Sequence, residues 1–108
     1  MTVQPADLVI VTTTAPSEAD AARLAGLLVE GGLAACVQTS PTQSTYRWDG
    51  EVRRETEWRL DAKTTRGAAD AAMAALAEAH PYDEPELIVT AAEGASEGYA
   101  AWVCSEVT

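Results

Sequence analysis

Ser44-Thr45-Tyr46-Arg47-Trp48-Asp49-Gly50-Glu51-Val52-Arg53-Arg54-Glu55-Thr56-Glu57-Trp58-Arg59-Leu60-Asp61-Ala62-Lys63 reads as two strands joined by a tight turn. Asp-Gly between strand-like runs is a strong hairpin signal, because both central residues of a type I′ turn need φ above zero. Beyond the turn, Val52, Arg54, Thr56, Trp58, Leu60 and Ala62 alternate with Glu51, Arg53, Glu55, Glu57, Arg59, Asp61 and Lys63. Period two over that length predicts one long strand with a mostly apolar face. A two-residue loop places Trp48 opposite Glu51 and Tyr46 opposite Arg53, so both aromatics share the charged face and not the face of Trp58 and Leu60. Large rings among charges fit either a subunit interface or rim aromatics lying over arginine stems; the interface is the expectation.

Downstream, Thr64-Thr65 is expected to cap a helix whose buried stripe is Ala69, Ala72, Met73, Leu76 and Ala77, and His80-Pro81 ends it. Leu87-Ile88-Val89-Thr90 is a last strand, Gly94 breaks it, and Ser96 opens a short helix carrying Tyr99, Trp102 and Val103. Upstream, Leu33-Ala34-Ala35-Cys36-Val37 begins the strand that passes Pro41 into the hairpin. Before it lies a helix with Ala21, Leu24, Ala25 and Leu28 on one face, started by Ser17 with Asp20 and ended by Gly31-Gly32. Leu8-Val9-Ile10-Val11-Thr12-Thr13 is a continuous apolar, β-branched run, expected as a central strand buried on both faces. With right-handed crossovers, the order predicts an α+β, ferredoxin-like βαββαβ sandwich with an extended hairpin between its second and third strands and a short C-terminal helix. The chain, residues 1–108, reads as one domain with residues 1–6 as an N-terminal tail.

The formal net charge is −10, but six of the seven basic residues lie between Arg47 and Arg66 with five acids among them. A phosphate backbone needs concentrated positive charge, so the sequence argues against a nucleic-acid partner. No apolar run approaches the roughly 18–20 residues that span a bilayer, which argues against membrane insertion. Met1-Thr2-Val3-Gln4-Pro5 lacks the basic and apolar regions of a signal peptide, and cytoplasmic residence is expected. Cys36 and Cys104 are expected as two buried thiols, a disulfide being the alternative.

Gly94-Ala95-Ser96-Glu97-Gly98 has the G-x-S-x-G form, but Ser96 reads as a helix cap and not as a nucleophile; a Walker A loop, G-x-G-x-x-G and C-x-x-C are missing. His80 is the only histidine, and the reading is non-enzymatic. The densest polar stretch is His80-Pro81-Tyr82-Asp83-Glu84-Pro85-Glu86. Its carboxylates suit hard cations, and a position near a helix C-terminus favours protonated His80; the alternative is a stiff connection with carboxylates in water. Lys63-Thr64-Thr65-Arg66 at a helix start is either an anion site or an ordinary N-terminus.

The ordered set Thr14-Ala15-Pro16-Ser17-Glu18-Ala19, Leu33-Ala34-Ala35-Cys36-Val37, Ser44-Thr45-Tyr46-Arg47-Trp48-Asp49-Gly50-Glu51, Glu57, Lys63-Thr64, His80-Pro81-Tyr82-Asp83-Glu84-Pro85-Glu86, Tyr99 and Trp102 resembles the CutA family of divalent-cation tolerance proteins. The resemblance implies a tight homotrimer built through extended strands and an intersubunit ligand cleft drawn from Tyr46, Trp48, Lys63, His80, Tyr82, Glu86 and Trp102. It implies His80 as a metal ligand for a weakly bound divalent cation such as copper. Thr13 stands where some members have cysteine and Ala79 where some have a second histidine, so weak binding is the expectation. The likeness to PII signalling proteins adds the alternative of a small anionic ligand between subunits; a non-catalytic scaffold is the third reading. Asp61 departs from the apolar run that the resemblance implies before Lys63-Thr64; by alternation it belongs with the charged face, and it is expected in an interface ion pair.

Overall fold

The computed structural model describes residues 7–108; the tail assigned to residues 1–6 lies outside them. Along the chain run β1 (Leu8–Ala15), α1 (Glu18–Glu30), β2 (Cys36–Trp48), β3 (Glu51–Thr65), α2 (Ala69–Ala79), β4 (Ile88–Ala91) and α3 (Glu97–Glu106), with a 3-10 turn at Arg66–Ala68 leading into α2. The architecture is mixed α+β, with one antiparallel sheet ordered β2-β3-β1-β4. Asp49 and Gly50 have φ of 55° and 79°, the two positive values the hairpin turn demands. From Trp48↔Glu51 to Cys36↔Lys63 the register runs without a bulge, with Tyr46 opposite Arg53. Pro41 sits within β2 because β2 is an edge strand, where a missing N–H disrupts no ladder.

β1 ends at Ala15, opposite Trp58, so residues 42–57 pair only with each other and project as an arm. This arm makes the molecule long, 50 × 26 × 21 Å. On one sheet face Val9, Val11, Leu60 and Ala62 pack with Leu24 and Leu28 of α1 and Ala72 and Leu76 of α2. Leu8 has the opposite parity and packs under Ala100 and Val103, so α3 covers the other face at that end only. Beyond it Ile10 is half-buried, which departs from a β1 enclosed on both sides.

Ser17 caps α1 by accepting the Asp20 N–H at 3.1 Å while its hydroxyl donates to the Asp20 carboxylate at 2.9 Å. At the other end the Leu33 and Ala34 amides donate back to the Leu28 carbonyl, so β2 begins at Cys36 and not at Leu33. Only Thr65 caps the second helical segment, accepting from the Ala68 N–H; Thr64 is buried in β3 and donates to the Leu33 carbonyl at 2.6 Å. In α2 the buried face is Ala69, Ala72 and Leu76, whereas Ala77 is exposed. Ala77 stands eight residues after Ala69, a rotation of about 80° away from it at roughly 100° per residue.

Gly32 carries φ +70°, and a Cβ there would collide with the side chain of Thr108, whose backbone N–H donates to the Gly32 carbonyl. Gly32→Ala is therefore expected to cost about 1–2 kcal/mol in chemical denaturation. Gly67→Ala, at a site with open space and no positive φ, is expected to be neutral or to stabilise by about 0.5 kcal/mol. Equal effects of the two would show that residue 32 is not strain-limited.

Candidate functional site

A cleft of about 900 Å³ opens between the projecting arm and the Pro81–Glu86 connection. Register places Tyr46 and Trp48 of β2 on the same face as Arg53, Glu55 and Glu57 of β3. The connection supplies Tyr82, Asp83, Glu84 and Glu86 from the other side. Two phenol–carboxylate pairs brace the walls: Tyr46 Oη donates to Glu55 Oε1 at 2.8 Å, and Tyr82 Oη donates to Glu57 Oε2 at 2.9 Å. Glu57 is only 8% exposed, while Trp48 near the arm tip is 54% exposed.

Five carboxylates face the cleft against Arg53 alone, so it attracts cations and repels anions. The hydrogen bond to Glu55 holds the Tyr46 phenol above its ordinary pKa. Burial, then the bond to Glu57 and its charge, push Tyr82 well above the usual phenol range. Both tyrosines are thus neutral donors at physiological pH, not phenolate ligands.

His80 lies behind this wall, at the end of α2, already extended with φ −72° and ψ 139° as a residue before proline must be. Its Nδ1 accepts the Tyr82 N–H at 3.1 Å, its Nε2 is 3.0 Å from Thr13 Oγ1, and its ring lies 5.2 Å from the Tyr82 ring. Burial lowers its pKa, outweighing the Thr14 backbone hydrogen bond that raises it. This reverses the protonated state expected from the helix end, because desolvation disfavours charge. The neutral ring's contribution to stability is complete above the ordinary histidine pKa and is lost as pH falls through the lowered one.

Of the seven expected cleft residues, Tyr46, Trp48, Tyr82 and Glu86 line this cleft, and His80 supports it from behind. Lys63 lies elsewhere in the chain, in a smaller depression of the open sheet face with Arg59 and Asp61, and donates to the Gln38 side chain. Trp102 stands on α3, 42% exposed and 5.7 Å from the Tyr99 ring. Asp61 is satisfied inside its own chain, pairing with Arg59 at 3.0 Å and accepting from Thr12 Oγ1 at 2.8 Å. Burial would raise its pKa, but those hydrogen bonds, Arg59 and Lys63 hold it below the usual carboxylate value. Arg53, Glu55 and Glu57 were not among the expected cleft residues, although their shared parity with Tyr46 was the signal that could have found them.

No group of three or more His, Cys, Asp or Glu side chains able to hold a metal converges among the described residues. Both histidine nitrogens are engaged within the chain, so the described residues do not fit a resident metal at His80. Cys36 and Cys104 are free and only half-buried. No helix among the described residues is long and apolar enough to cross a membrane.

A small α+β protein with a projecting two-stranded arm and an acidic, aromatic-lined cleft is the class these features define. The chain belongs to the CutA1 divalent ion tolerance protein family, whose model matches residues 9–106. It is 38% identical over 98 residues to the divalent-cation tolerance protein CutA of Pectobacterium atrosepticum, covering 90% of this chain and 89% of that one. Among solved structures, CutA from Synechococcus elongatus PCC7942 superposes with a TM-score of 0.94 at 42% identity, covering 98% of this chain and 95% of that one. A protein described as the periplasmic divalent cation tolerance protein CutA from Archaeoglobus fulgidus gives 0.91 at 28% identity, covering 94% and 99%. The family's description concerns tolerance of divalent ions and states no reaction.

Proposed function

We propose that this protein serves divalent-cation tolerance as a non-catalytic, ferredoxin-like subunit of a cytoplasmic homotrimer, and that the cleft beside the arm takes a hydrated divalent cation as a weakly held ligand. The charge of the cleft carries the reading: Glu55, Glu57, Asp83, Glu84 and Glu86 oppose Arg53 alone. Assembly is supported by the arm, which exposes Val52 and Trp48 beyond the core, and by Ile88, half exposed on the edge strand β4. Three chains of 11.4 kDa are expected to sediment as one particle.

Calorimetric titration with Cu²⁺ and Zn²⁺ tests the cleft. Weak binding is expected in the parent and at least about a tenfold loss of affinity in Glu55→Gln/Glu86→Gln. Identical isotherms for the two proteins would remove the cleft from the account. A small anionic ligand between subunits is the second reading, favoured by Arg59 and Lys63 lying together on the open face. A thermal-shift screen with nucleotides and organic acids addresses it, since saturation at a hundred times Kd adds about 2.7 kcal/mol.

A further inference from the structure

We infer that His80 is a positioning residue and not a metal ligand: with both ring nitrogens bonded inside the chain, it ties the Pro81–Glu86 connection to β1 and aims Tyr82 at Glu57 across the cleft wall. A ring nitrogen that accepts a backbone N–H must present its lone pair, so Nδ1 is unprotonated and the hydrogen of the neutral imidazole sits on Nε2. Nε2–H then donates to Thr13 Oγ1 in the middle of the central strand. A cation at Nδ1 would have to displace the Tyr82 amide hydrogen. A cation at Nε2 would require the ring to shift its proton to Nδ1, against that same amide.

Local sequence makes the arrangement. Nδ1 accepting from the N–H two residues on has the form of the turn that Asn and Asp side chains make with their own backbone. Pro81, between them, fixes its φ and brings no competing N–H. Tyr82 is thereby held at both ends, its amide by His80 and its hydroxyl by Glu57. The connected path runs Thr13, His80, Tyr82, Glu57, and joins β1 to β3 through the segment that walls the cleft. The imidazole also feels Asp20 and Arg23 of α1 and Glu57 of β3, charges of mixed sign. This inference concerns the wall of the cleft taken above as the ligand site, yet its test reads the ring itself and stands apart from whether a cation binds there.

Because His80 is the only histidine, long-range ¹H–¹⁵N correlation spectra of the labelled full chain contain one imidazole. At pH 8 the expected pattern is an unprotonated Nδ1 and a protonated Nε2, unmoved by Zn²⁺ up to concentrations that saturate any binding seen by calorimetry. His80→Ala is expected to speed exchange of the Tyr82 amide on the order of tenfold, the loss of one hydrogen bond. His80→Asn, whose side-chain oxygen can take the same N–H, is expected to restore protection. An Nδ1–H tautomer, a ring resonance that follows Zn²⁺, or a Tyr82 amide indifferent to both substitutions would each overturn the assignment. Should His80→Ala fail to fold, the parent spectrum and the asparagine rescue still decide it.

Discussion

Leu60→Ala is expected to remove about 3 kcal/mol of stability. Leu60 is 1% exposed at the middle of β3, between Thr13 of β1 and Thr39 of β2, and belongs to the cluster shared by both large helices. Truncation there loses the transfer energy of the removed methyls and leaves a cavity that a sheet pinned on both sides closes poorly. Val52→Ala, on the same strand and the same face by alternation, is expected to change stability by less than about 0.5 kcal/mol, since Val52 is half exposed on the arm. Urea titrations at one fixed protein concentration compare them, because the assembly proposed above would make the midpoint depend on concentration. A similar loss at both sites would mean that the arm is packed as tightly as the core, and the division between them would fail.

That pair also marks where sequence reasoning stops. Alternation from Val52 to Ala62 shows which side chains share a face, and the Asp49-Gly50 turn fixes the pairing, because both are local properties of the backbone. Neither shows where the helices end. The covered stretch closes at Trp58 because β1 ends there at Ala15, a fact of tertiary length. Thr64 fails to read correctly for a related reason: its partner, the Leu33 carbonyl, is distant in sequence, so a buried hydroxyl looks like a helix cap. Tyr46, Trp48, Tyr82 and Glu86 line one cleft of the chain, and in the sequence only a resemblance brings the two halves together. The charge state of His80 was misread because helix-end electrostatics is visible in sequence, whereas the burial that outweighs it is not.

Tyr82→Phe is the substitution that most directly probes how the cleft wall stands. It removes the one side-chain hydroxyl seen donating to Glu57 and leaves a nearly buried carboxylate short of a donor, at an expected cost of about 2–3 kcal/mol. Glu57→Gln should cost less, about 1 kcal/mol, because the amide oxygen can still accept from Tyr82 and no charge is buried. In Tyr82→Phe/Glu57→Leu both polar partners vanish together, so the loss should fall below the sum of Tyr82→Phe and Glu57→Leu by at least about 1 kcal/mol. Strict additivity would mean that Glu57 draws its stabilisation from water in the open cleft, and that the wall is not braced by this pair. Strong coupling would instead mean that the segment carrying Asp83, Glu84 and Glu86 is set by a bond from Tyr82 to β3, so the acidic lining is held in place before any cation arrives.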